Sequence, residues 1–119
     1  MNASDPYDLL TEGRELLAAK RSKEAVELLQ AARDLEPEKG SIREALARAL
    51  YDSRQIARAT EEFTAAVELN PADDYAYFGL ALCKARLGNR QRAAGLLKIA
   101  LAMRPDSENY RRALDRLAC

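Results

Sequence analysis

Side chains able to make or break bonds are scarce in this chain of 119 residues. It has no histidine, which removes the commonest general base, the commonest zinc ligand and the usual partner of a nucleophilic serine or cysteine. Its two cysteines, Cys83 and Cys119, are too few for a disulfide framework and lack the CxxC spacing of zinc or dithiol chemistry. Cys83 lies in the apolar run FGLALC and reads as a small buried hydrophobe. Cys119 is the last residue and is expected to be exposed, with only Arg116 nearby to favour a thiolate. No glycine-rich phosphate loop, paired-carboxylate site or metal-ligand spacing appears, so no catalytic residue, cofactor or metal is expected. The chemistry left is recognition by aromatic rings and guanidinium groups.

Bulk properties narrow the partners. Nineteen basic and nineteen acidic side chains cancel, so no global positive field draws the chain to nucleic acid or an anionic membrane. No 18-residue uncharged apolar run offers a membrane span, and the N-terminus lacks the basic-then-apolar pattern of a signal peptide. A cytoplasmic location, a single domain over 1–119 and no nucleic-acid or membrane partner are the expectations.

The elements that must position any site are all helical. Tyr7, Leu9, Leu10, Leu16 and Leu17 recur at helical intervals between Pro6 and Ala19, and Ala25, Val26, Leu28, Leu29, Ala32 and Leu35 do so after KRS. Asp5 before Pro6 predicts an N-cap with proline at the first helical position, and Ser22 is expected to cap the next helix. Ser41 with Glu44 reads as a capping box opening a helix to about Asp52, and another is expected from about Ile56 to Leu69. Asp73 or Asp74 opens a fifth, ending at the Gly88-Asn89 pair with a left-handed cap. A sixth runs from about Arg90 to Met103, and Asp106 or Ser107 caps a seventh from about Glu108 to Leu117. The short links force neighbouring helices to pack antiparallel, as three hairpins plus one helix.

Pro37, Pro71 and Pro105 are spaced by 34 residues each, which sets repeats at 6–39, 40–73 and 74–107 and a capping helix at 108–118. Small residues recur at fixed points: Gly13, Ala47 and Ala81; Ala25, Ala59 and Ala93; Ala32, Ala66 and Ala100. Larger side chains there would hold helix axes apart. Leu46 and Leu80, Leu16 and Leu50, and Leu29, Phe63 and Leu97 fill large apolar positions. On these residues the chain resembles the tetratricopeptide repeat family over about residues 6–107, with a last helix like the solvating helix that follows such arrays. Three positions depart from the family pattern: Arg43 replaces a bulky apolar residue, and Glu12 and Lys84 stand where apolar residues are usual. Both of the latter fall in terminal repeats, where long stems are expected to lie on apolar surface with their charges in water.

The resemblance implies an all-α, right-handed solenoid whose concave groove, lined by the first helix of each repeat, holds an extended peptide or a partner's helix. The family's groove positions are Tyr7, Leu10, Thr11, Arg14, Leu17 and Ala18 in repeat one. They are Ser41, Glu44, Ala45, Arg48, Tyr51 and Asp52 in repeat two, and Tyr75, Phe78, Gly79, Leu82, Ala85 and Arg86 in repeat three. The binding set drawn from these is Tyr7, Leu10, Arg14, Arg48, Tyr51, Tyr75, Phe78, Leu82 and Arg86. Co-chaperone members grip C-terminal carboxylates at positions occupied here by Leu10, Arg14, Ala45, Tyr75 and Gly79, of which Arg14 alone is basic, so that clamp is not expected. KRSKE (Lys20 to Glu24) and NRQR (Asn89 to Arg92) occupy equivalent turns and read as solvated basic edges. The last helix places Tyr110, Ala113, Leu114 and Leu117 on one packing face. An adaptor that binds a protein or peptide is the first functional reading, self-association through a terminal repeat or the last helix the second, and an enzyme a distant third.

Overall fold

The apolar periodicity becomes seven helices in a computed structural model that describes residues 5–118. They are α1 Pro6–Ala18, α2 Ser22–Leu35, α3 Gly40–Asp52, α4 Ile56–Leu69, α5 Asp74–Arg86, α6 Arg90–Met103 and α7 Glu108–Ala118, with no strand among the described residues. Cys119 lies outside the described residues. Four helix starts carry side-chain caps: Asp5 Oδ1 accepts from the Tyr7 N–H at 2.9 Å, Asp73 Oδ1 from Ala76 at 3.1 Å, Asn89 Oδ1 from Arg92 at 3.1 Å and Ser107 Oγ from Tyr110 at 3.2 Å. Each satisfies one of the N–H groups that a helix start leaves without an intrahelical partner.

Two expected caps are not formed. Ser22 is the first helical residue of α2; Arg21 takes the cap position with no side-chain cap bond, and its guanidinium pairs with Glu24 at 2.5 Å instead. In α3 the helix starts two residues earlier than the capping box requires. Lys39 is the N-cap and its carbonyl accepts from Ile42 and Arg43, which carries Ser41 and Glu44 into the helix interior. Inside each hairpin the turn passes through a left-handed residue, Lys20 (φ 62°), Arg54 (φ 68°) and Gly88 (φ 87°), again 34 residues apart. Only at Gly88 is that conformation free of a Cβ penalty.

Packing follows the small-residue columns. Ala25, Ala59, Ala93, Ala32, Ala66 and Ala100 are fully buried, and Leu29, Phe63 and Leu97 fill the space between them. Approach is closest at Gly79, where an added Cβ would lie 2.2 Å from Phe63 Cζ. The helices stack into a body of 47 × 25 × 22 Å, the shape of an α-solenoid. Each helix packs on its neighbours in sequence, and α1 also touches α3 and α3 touches α5, while no comparable backbone approach joins α2 to α4 or α4 to α6. The first helices therefore lie on the inside of the curve and the second helices splay on the outside.

Of the three departures from the apolar pattern, Arg43 is accounted for by polar partners. Arg43 donates to the Pro37 carbonyl at 2.8 Å and to Glu62 at 2.9 Å, and Glu62 also accepts from Arg33 at 2.7 Å. Glu62 is almost fully buried, so two guanidinium groups compensate its charge between α2, α3 and α4. Glu12 differs from expectation in that one of its oxygens, Oε2, is buried without a hydrogen bond. Lys84 lies half-buried between α4 and α6.

Candidate functional site

The inner face is built by α1, α3 and α5, and its centre is two ring-guanidinium stacks. From α3, the Arg48 guanidinium lies 5.3 Å from the centre of the Tyr75 ring on α5. From α5, the Arg86 guanidinium lies 5.5 Å from the centre of the Tyr51 ring on α3, and its Nε donates to the Tyr51 hydroxyl at 3.3 Å. The two stacks run in opposite senses, each helix supplying one ring and one cation. A guanidinium held over a ring keeps its N–H edges available for carboxylates, and such stacking adds about 0.5–1 kcal/mol at an exposed site.

Beside the stacks sits an acid cluster. Burial, and the hydrogen bond and negative charge of Asp73 at the α5 N-cap, push the Glu44 carboxyl up to about 8, while the charges of Arg48 and Arg14 pull it down in part. Burial raises the Tyr75 hydroxyl too, against the pull of Arg48. Arg14 is exposed on α1 and joins this field from the neighbouring helix.

The other expected binding residues lie apart from this centre. Tyr7 is 69% exposed at the start of α1, beside a cavity of about 240 Å³ that it lines with Leu10 and Ile42. Leu10 is buried in the core. Phe78 is buried as well, its ring packed 5.7 Å from Tyr75 and 4.9 Å from Tyr110 of α7. Leu82 lines a separate apolar cavity of about 240 Å³ closed by Ala113 and Leu117 of α7. The structure thus brings Arg48, Tyr51, Tyr75 and Arg86 together with Arg14 nearby, sets Tyr7 at one end, and places Phe78 and Leu82 under the last helix.

Two features of this face were absent from the expected site. Glu44 stood among the groove positions, but its partner Asp73 was read only as a helix cap. The anchoring of α7 was also hidden: the Tyr110 hydroxyl donates to Asp74 Oδ2 at 2.5 Å, and Arg104 Nε reaches the same oxygen at 3.0 Å. Although burial pushes Asp74 up, these hydrogen bonds hold its carboxyl below the usual range, and burial with the Asp74 charge drives the Tyr110 hydroxyl upward.

Three stacked hairpins with an inner face of their first helices, closed by a seventh helix, define an α-solenoid of the repeat class. The sequence model of the tetratricopeptide repeat matches residues 10–53 and 44–108, and the chain belongs to that family. No curated protein matches the chain. Among solved structures, the first repeat domain of Spaghetti (RPAP3) bound to the HSP90 peptide SRMEEVD superposes with a TM-score of 0.91 at 18% identity, covering 99% of this chain and 94% of that one. The Arabidopsis OM64 domain gives 0.91 at 20% identity over 94% of this chain and 93% of that one. The Sgt2 domain of Aspergillus fumigatus gives 0.88 at 21% identity over 95% and 76%.

Proposed function

We propose that this chain is a non-enzymatic, cytoplasmic adaptor that binds a peptide or helix of a partner protein on its inner face, through repeats at 6–39, 40–73 and 74–107 capped by 108–118. The observation that carries this reading is the pair of opposed stacks, Arg48 on Tyr75 and Arg86 on Tyr51. They hold two cations and two rings on adjacent helices, a surface suited to a segment with carboxylates and apolar side chains together.

A solved relative of this fold holds SRMEEVD, but this chain offers a different chemistry at the carboxylate-clamp positions. Leu10 and Ala45 are buried, the Tyr75 ring is engaged by Arg48, and a side chain at Gly79 would collide with Phe63. A partner is therefore proposed to be held by the arginine-tyrosine pairs and not by a lysine-asparagine clamp.

Selection of peptides from a displayed random library, followed by fluorescence anisotropy on the winners, tests the reading. Peptides selected by the native chain are expected to bind Arg48→Ala/Tyr75→Ala at least about tenfold more weakly, a loss of about 1.4 kcal/mol or more. Undiminished binding to that variant would sink the assignment. Self-association is the alternative, favoured by Ile99 and Met103, which are 42% and 40% exposed on α6. Light scattering across protein concentrations separates it: a dimer that survives Arg48→Ala/Tyr75→Ala and excludes peptide would replace the adaptor reading.

A further inference from the structure

The two junctions between successive hairpins are built from equivalent positions, yet only the first is closed. Two polar contacts join α2 to α4, Arg58 Nη2 donating to Gln30 at 2.8 Å and Arg33 pairing with Glu62, and a third joins α3 to α4, where Arg43 reaches Glu62. Thirty-four residues later the corresponding side chains are Arg92 and Thr64, Val67 and Leu96, and Tyr77. None of those contacts is made there. The Thr64 hydroxyl instead donates to the Thr60 carbonyl at 2.7 Å within its own helix.

The result is an open groove of about 670 Å³ on the outer face between α4 and α6, floored by Tyr77 and Leu80 and walled by Val67, Leu96 and the 42% exposed Ile99. That is the size range of ligand-holding clefts. Gly95 keeps one wall low; an added Cβ there would meet nothing within 4 Å, and Glu61 holds the equivalent place in the preceding repeat. Two cations stand at the groove, Arg92, whose counterpart Arg58 is bonded to Gln30, and Lys84, in the place of the fully buried Leu50. Among the described residues neither side chain makes an ion pair or a hydrogen bond, and the groove's single acid, Glu68, pairs with neither.

We propose that this outer groove is a second docking surface, which takes an acidic amphipathic segment of a partner protein. Apolar side chains of the segment lie along Val67, Tyr77, Leu96 and Ile99, and its carboxylates meet Arg92 and Lys84. The surplus of unpartnered positive charge beside an apolar floor selects that chemistry over a basic or wholly apolar segment. The site is independent of the inner face and stands or falls without it.

The test uses a fluorescein-labelled amphipathic peptide of leucines flanked by glutamates, with a lysine-for-glutamate version as control. Binding is read by anisotropy and by amide shifts of the labelled protein. The glutamate peptide is expected to shift amides of Val67, Tyr77, Leu96 and Ile99 and to bind about tenfold or more tightly than the lysine peptide. Installing the first junction's residues, Val67→Arg/Tyr77→Arg/Leu96→Glu, should remove binding, and Lys84→Glu/Arg92→Glu, on a partly exposed surface, should reverse the preference. Arg48→Ala/Tyr75→Ala should leave it unchanged. Equal binding of the two peptides, shifts confined to the inner-face residues Arg14, Arg48, Tyr51, Tyr75 and Arg86, or groove amides that move on dilution without peptide, the mark of a second copy in the groove, would each overturn the proposal.

Discussion

At the scale of single residues, two glycines in neighbouring helices make opposite predictions. Gly79 faces the buried Phe63 ring at 2.2 Å from an ideal Cβ, and that ring cannot withdraw from a packed core. Gly79→Ala is expected to destabilise by about 1–3 kcal/mol, as overpacking does, and Phe63→Leu in the same chain to recover part of the loss in urea unfolding. Gly95, with open space around it inside α6, carries only the entropic penalty of glycine in a helix, so Gly95→Ala should stabilise by about 0.5–1 kcal/mol. Glu44 predicts a pH dependence. Its carboxyl is raised from an ordinary 4.5 to about 8, so the folded chain binds this proton more tightly than the unfolded one. The stability it contributes is full below about pH 4.5 and is lost as the pH climbs through 8. Glu44→Gln should therefore gain on the native chain between pH 5 and 8, by on the order of 1–2 kcal/mol after solvent screening is allowed for. Unfolding curves that keep a constant offset over that range would refute the assignment. The acid was visible as a groove position; its shift was not, because it depends first on burial and then on Asp73, 29 residues away in sequence, both of which arise only from the stacking of α5 on α3 and α4.

At the scale of elements, helix existence and most boundaries were written in the periodicity, since buried leucines and alanines recur at the intervals that one helix face requires. The two missed caps show where that reading stops. Whether Ser41 sits at the cap or two residues beyond it depends on how the chain leaves Pro37, and the Lys39 carbonyl takes the first helical N–H bonds before Ser41 is reached. Arg43 was legible as a departure from an apolar position, but not its resolution through Glu62, whose two partners lie 19 and 29 residues away. That triad gives the element-scale prediction. Glu62→Ala leaves Arg33 and Arg43, each about a quarter exposed, without their common acid, and should cost roughly 2–3 kcal/mol in thermal unfolding, below the full penalty for a wholly buried pair. Replacing all three with the residues of the second junction, Arg33→Val/Arg43→Tyr/Glu62→Leu, should restore most of that loss, because apolar packing substitutes for a desolvated ion network. A triple variant no more stable than the single one would show that the network cannot be exchanged for packing.

At the scale of the whole molecule, the 34-residue interval of the prolines and the alanine columns made the solenoid readable, and the curvature followed from first helices whose backbones approach more closely than those of the second helices. The role of α7 was only half readable: its apolar face was evident, but not that it covers Phe78 and Leu82 and is tied to Asp74. Ending the chain before Glu108 should expose those side chains and lower the melting temperature, and Tyr110→Phe alone should cost about 1–2 kcal/mol through the lost hydrogen bond to a charged partner. A truncated chain that melts like the native one would mean that α7 adds no stability. The unequal junctions carry a mechanical consequence. Considered as a spring, the molecule has one coil riveted by Arg33, Glu62, Arg43 and the Arg58-Gln30 bond, and one coil without rivets. Flexing should concentrate where α6 meets α4, so amides of α6 are expected to exchange with deuterium sooner than those of α4. The array then bends at a fixed place near its C-terminal end, and a segment seated between α4 and α6 would act as a wedge that sets its curvature.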